Sequence, residues 1–128
     1  MTLRIVRLGS PRHESEGTRI GTVRRPPRGV PKTEFSSGNW YDVWFPVLAP
    51  SAETMKLGQE AQTPTQWAAF IKKYRTEMST PEAEHSLNLL AVLSRTSNLS
   101  VGCYCADEAH CHRSVLRELF AARGAEIA

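Results

Sequence analysis

Long apolar runs are missing from this chain. The longest, Trp67–Ile71 and Leu89–Leu93, are five residues each, far short of the ~20 that a helix needs to cross a bilayer. A transmembrane helix is therefore excluded, and no membrane partner is expected. The first thirty residues carry no apolar h-region and are interrupted by Arg4, Arg7, Arg12 and Arg19, so no secretory signal is readable and a cytoplasmic location is expected. Cysteine is scarce, with three residues all inside positions 103–111. A disulfide framework for a small secreted fold spreads its cysteines along the chain, so this crowding points to site chemistry or a reduced core. Low-complexity tracts are absent too. With 41% hydrophobic and 23% charged residues, the composition is neither disordered nor fibrous. The length of 128 residues suits one domain, residues 1–128, around one core.

Charge is present but local. The net charge is +3, yet residues 1–32 hold eight basic side chains against Glu14 and Glu16. Within that block Arg24-Arg25-Pro26-Pro27-Arg28-Gly29-Val30-Pro31-Lys32 has three prolines, which remove backbone donors and forbid a central strand or helix. It reads as the start of a rigid basic loop over about residues 24–39. Such a block either attracts phosphate-rich partners through its field or simply keeps a surface wet.

Alternation and turn signals predict short strands at Leu3–Leu8, Thr18–Val23, Tyr41–Phe45 and Leu99–Cys105. Helical spacing predicts helices through Ala52–Gly58, from Pro64 past Tyr74, from Pro81 to Leu93, and around Val115, Leu116, Leu119 and Phe120 up to Gly124. Thr63-Pro64 and Thr80-Pro81 give the second and third helices a capping side chain followed by proline at the first helical position. Strands alternating with helices predict an α/β fold, a single small layered domain with a short sheet flanked by helices. Ligand sites in such folds lie beyond the carboxyl ends of the strands, which is where Cys105–Arg113 falls.

That segment carries the chemistry. Every cysteine and two of the four histidines lie within Cys103–Arg113. Three thiolates and an imidazole are a sufficient tetrahedral set for a metal. However, Cys103 and Cys105 one residue apart on a straight strand splay less readily around one ion than a knuckle with two intervening residues, so a structural metal is not favoured and no cofactor is assigned. A second reading makes Cys105 or Cys111 a reactive thiol, its thiolate favoured by His112, Arg113 and the unpaired amides of a helix start. Seven residues lie between Cys105 and Arg113, which does not match the five-residue anion loop of cysteine phosphatases and rhodaneses. A third reading has Asp107 capping the last helix, with Cys111, Val115 and Leu119 on one buried stripe as plain core.

Arg28-Gly29, Leu48-Ala49-Pro50-Ser51, the Trp67–Tyr74 helix and Cys105…Cys111-His112-Arg113 occur in this order. In these features the chain resembles the domain-of-unknown-function family 488, YeaO-like branch. The resemblance spans nearly the whole chain and implies a single α/β domain with no settled activity. It also implies an Asp-Arg-Leu-Trp-Pro-Arg-Gly stretch where this chain has Val23-Arg24-Arg25-Pro26-Pro27-Arg28-Gly29, and a Gly-His where it has Gly58-Gln59. If that Asp and His are proton-transfer groups in the family, this chain has lost them or never used them.

The expected function is a small enzyme or binder for an anionic ligand. Cys105, Cys111 and His112 are the candidate catalytic groups, with Arg113, Arg24 and Arg28 as ligand-binding groups. Arg113 is expected either to fork onto an oxyanion at the sheet edge or to sit in a surface ion pair with Glu108 or Glu118. The alternatives are a nucleic-acid module using the Arg24–Lys32 loop with Trp40, Tyr41 and Trp44 as stacking surfaces, or a partner-binding protein without chemistry. The sequence does not set the oligomeric state.

Overall fold

The computed structural model describes residues 1–128 and is a small α/β domain. Its sheet has strands β1 (Leu3–Arg7), β2 (Thr18–Gly21), β3 (Val43–Trp44) and β4 (Leu99–Cys103) in the order β1-β4-β2-β3, all parallel. Helices α1 (Ala52–Glu60), α2 (Pro64–Glu77) and α3 (Pro81–Leu93) lie between β3 and β4, and α4 (His112–Ala122) follows β4. No helix is long and apolar enough to cross a membrane.

The strands alternate as a half-buried sheet must. Leu3 on β1, Ile20 on β2, and Leu99 and Val101 on β4 join Tyr74, Leu87 and Phe120 of α2, α3 and α4 in one apolar core. The other face is polar and covered by loops. There Arg19 is fully buried and pairs with Glu16, with Nε 2.6 Å from Oε2 and Nη2 2.8 Å from Oε1. Its Nη1 donates to the carbonyls of Ser10 and Asn39, while Ser100 on β4 donates to Glu16. One guanidinium thus ties both long loops to the centre of the sheet. Helices therefore pack on the core face, and side-chain networks from the loops close the opposite one.

Both Thr-Pro start signals hold. Thr63 accepts from Gln66 N while Gln66 reaches back to the Thr63 amide, and Thr80 caps α3. The third strand is shorter than its alternation implies. Tyr41 turns into a second, smaller cluster with Leu8, Val23, Cys103 and Cys111, and the Asp42 amide donates to the Arg19 carbonyl before Val43 takes up the ladder. The second strand likewise stops at Gly21, although Thr22 N still donates to the Gly102 carbonyl. Within the 24–39 loop, Lys32–Glu34 forms one 3-10 turn.

Candidate functional site

Register brings the functional residues to one edge. Arg7 pairs with Cys103 and Gly21 with Gly102, so β1, β2 and β4 end side by side and their following residues meet beyond the sheet. β4 stops at Cys103, and Tyr104 leaves the ladder with its hydroxyl donating to the Arg25 carbonyl at 2.8 Å. Freed from the pleat, Cys105 lies near Cys103 and Cys111, close enough for the three thiols to shift one another's ionisation. The splaying expected of a straight strand does not arise, because the strand ends between the two cysteines. All three are free thiols, Cys103 and Cys111 buried and Cys105 exposed.

Asp107 does not cap α4. Its carboxylate accepts from Ala109 N at 3.0 Å and caps the 3-10 turn Glu108–His110. Cys111 itself is the extended residue that opens α4, at φ −143° and ψ 155°. Both readings of Cys111 therefore meet in one place: Val115 behind it is core, while its sulfur stands 3.6 Å from His112 Nδ1.

His112 is buried at the floor of the site. Its Nε2 lies 2.8 Å from the Thr22 carbonyl oxygen and 3.2 Å from Thr22 Oγ1. A carbonyl only accepts, so Nε2 carries the proton and Nδ1 presents its lone pair to Cys111. Burial pushes the His112 pKa down to about 4, which keeps the ring neutral at pH 7. The Cys105 thiol is held far below the ordinary range by the neighbouring Cys103 and Cys111 thiols, helped by the field of Arg113. Cys103 moves in the opposite direction because it donates to Cys105 and Cys111 and is desolvated. Cys111 is pushed up to about 11: Cys103 favours its thiolate, but donation to Cys105 and burial outweigh that. The arrangement concentrates negative charge on the one exposed sulfur.

Arg113 differs from both expectations. It is buried and pairs with neither Glu108, which holds Arg117, nor Glu118, which holds Arg75. Its Nη2 donates to the Cys105 carbonyl at 2.7 Å, and its Nε has no hydrogen-bond partner. The guanidinium thus supports the cysteine loop from within and does not present a fork to the cleft.

The cationic lining comes from elsewhere. A cleft of about 1260 Å³ opens over Cys103, Cys105 and His112 and is rimmed by Arg7, Arg24, Arg25 and Arg28. No Asp or Glu lines it, and none of these four arginines is in a salt bridge. Arg24 Nε donates to the Pro50 carbonyl at 2.9 Å, which holds the loop against the segment leading into α1. The sequence offers Arg24 and Arg28 as ligand-binding candidates; Arg7 and Arg25 join them at the rim through the fold. The signal for Arg7 was its place at a strand end, but only pairing with Cys103 converts that into proximity. Cys105 and His112 also line a smaller recess of about 60 Å³ beside Met55, Gln59 and Trp67.

Of the aromatic residues beside the basic loop, Trp44 is exposed and the other two are packed. Tyr41 is buried, Trp40 packs edge-on against Tyr104 at 6.0 Å between ring centroids, and Trp44 Nε1 donates to the Val23 carbonyl at 2.7 Å.

The family model described as the active DUF488-N3 subclade matches residues 3–124. No curated protein and no solved structure matches the chain.

Proposed function

The chain belongs to the DUF488 family, and we propose that it is a thiol-dependent enzyme acting on a small substrate that bears a phosphate, sulfate or carboxylate group. The observation that carries this reading is the cleft: four arginines without carboxylate partners rim it, no acid lines it, and the exposed thiol of Cys105 stands at its floor. Arginines in that setting attract and hold an oxyanion, since their forks meet it with paired hydrogen bonds and low-dielectric walls strengthen the attraction. Cys105 is the attacking sulfur. Beside it Cys111 and His112 are a thiol and a neutral base 3.6 Å apart, and the Thr22 carbonyl fixes the ring's orientation. Arg113 is a positioning residue, acting on Cys105 through the carbonyl it holds. The family's description as an active subclade is in keeping with chemistry at this site, and three free thiols suit a reducing, cytoplasmic setting. The basic loop would also serve a nucleic acid, but of its three aromatic neighbours Tyr41 is buried and Trp40 is packed, which leaves the exposed Trp44 alone for stacking.

Alkylation tests the reading. Iodoacetate and iodoacetamide are compared on the native reduced protein, with peptide mapping to locate the product. Cys105 is expected to be modified first and faster by the anionic reagent, with inorganic phosphate or sulfate protecting it. The combined substitution Arg24→Ala and Arg28→Ala should remove both the preference and the protection. Preference for the neutral reagent at Cys105, with the same rates in the arginine variant, would sink the proposal.

A further inference from the structure

We propose that Cys103, Cys111 and His112 bind one thiophilic divalent cation of the zinc type, with Cys105 as the fourth ligand on the cleft side. Sulfur atoms of the two cysteines and a ring nitrogen of His112 lie within 4.8 Å of one another, and all three residues are buried. Zinc–sulfur bonds of ~2.3 Å and zinc–nitrogen bonds of ~2.0 Å at the tetrahedral angle put neighbouring donors roughly 3.5–3.8 Å apart. Cys111 Sγ and His112 Nδ1 are already 3.6 Å apart.

The imidazole is prepared for this role. Its Nε2 proton is fixed on the Thr22 carbonyl at 2.8 Å, so Nδ1 is the free donor and the ring plane is set before any ion arrives. Outer partners of this kind orient metal-binding histidines and raise their basicity. The Thr22 carbonyl needs no catalytic reason to face a buried ring, but it fits a ligand's second partner well.

The charge balance suits the site as well. Arg113 is buried without a carboxylate partner, and its Nε makes no hydrogen bond. A buried guanidinium needs a counter-charge close by. A dication held by three thiolates and a neutral imidazole carries one net negative charge, and Arg113, in the first turn of α4, directly follows two of those ligands. Softness sets the cation class: three sulfurs and one nitrogen select zinc-like ions over magnesium or calcium, which take oxygen ligands. As metal–sulfur bonds form, the remaining thiol protons pass to solvent, and nothing is oxidised or reduced.

This inference stands on the ligand geometry and does not require the cleft to hold an anion. Its test is titration of the reduced, chelator-stripped protein with Co²⁺ and then Zn²⁺. One equivalent of Co²⁺ should produce tetrahedral visible bands and a thiolate-to-cobalt charge-transfer band, both abolished by one equivalent of Zn²⁺. Cys111→Ser should weaken zinc binding by more than the ~10–100-fold typical of changing an outer partner, whereas Cys105→Ser should keep one equivalent with a weaker charge-transfer band. Circular dichroism checks that each variant folds. An octahedral cobalt spectrum without charge transfer in the wild-type protein overturns the site whatever the variants do, as does a folded Cys111→Ser that binds zinc like wild type. Iodoacetate preference in the stripped protein is read separately, so either proposal can fail while the other stands.

Discussion

Arg113 shows how one residue can hold a site without touching its ligand. Its Nη2 bond to the Cys105 carbonyl fixes the loop that aims the exposed sulfur. Lysine keeps the charge but loses the planar fork, so Arg113→Lys should reduce the preference of Cys105 for iodoacetate while protection by phosphate persists through the cleft arginines. Loss of protection in Arg113→Lys but not in the Arg24→Ala, Arg28→Ala protein would transfer the anion to Arg113. At Gly102 the limit is space. A Cβ there would lie 2.6 Å from the Val6 carbonyl oxygen and 2.9 Å from the Leu8 side chain. Backbone and a buried leucine give way poorly, so Gly102→Ala should destabilise the domain by about 1–3 kcal/mol in urea unfolding.

At the scale of elements, the junction of α1 and α2 depends on Glu77. Its Oε1 accepts from Ser51 N at 2.9 Å, and Oε2 accepts from Ser51 Oγ and Thr54 Oγ1, each at 2.6 Å. A carboxylate from the last turn of α2 therefore braces the Ser51 cap of α1, next to the Pro50 carbonyl that anchors Arg24. Burial raises the Glu77 pKa, but hydrogen bonds from Ser51 and Thr54 and the field of Lys73 outweigh it, so the net shift is downward. A depressed carboxylate contributes stability that is present above its unfolded pKa and lost as pH falls through the folded value. Glu77→Gln should cost about 1–2 kcal/mol near neutrality. The difference from wild type should shrink as the solution is acidified through the lower carboxylate range. Equal stability of the two proteins at pH 7 would show that Glu77 does not hold the junction.

Across the whole molecule the core and the site are nearly separate. The main core of sixteen buried residues contains no cysteine, whereas Cys103 and Cys111 belong to the smaller cluster at the sheet edge. Removing a metal from the thiols should therefore lower the melting temperature without abolishing cooperative unfolding, unlike a zinc finger, whose fold is its metal site. Chelation that leaves an unfolded chain by near-ultraviolet circular dichroism would contradict this separation. The Glu16–Arg19 pair should matter more to folding. Breaking a buried ion pair from one side leaves an unpaired charge, so Glu16→Gln should cost about 3–5 kcal/mol. Glu16 is also held below the ordinary carboxylate range, since bonds from Arg19 and Ser100 outweigh the effect of burial. Its contribution is likewise present above the unfolded pKa and lost as pH falls through the folded one.

The helices and the strand-then-helix order at β4 and α4 were legible because they rest on local signals: Thr63-Pro64 and Thr80-Pro81 as start points, leucine and aromatic spacing on α2 and α3, and the β-branched run through β2. Those signals act within a few residues of chain, so the sequence alone determined them, and the concentration of thiols near the C-terminus came with them. The long-range contacts that make the site remained hidden. Whether Cys103 and Cys105 splay or converge depended on the strand ending between them, and Tyr104 bonding to Arg25 seventy-nine positions away helps to hold that break. Arg113 turned inward onto the Cys105 carbonyl, while Glu108 and Glu118 pair with Arg117 and Arg75. Arg7 reached the cleft because β1 pairs in register with β4. Each outcome was a competition among partners far apart in the chain, and tertiary packing decided it because a side chain can satisfy only the groups the fold brings within hydrogen-bond reach.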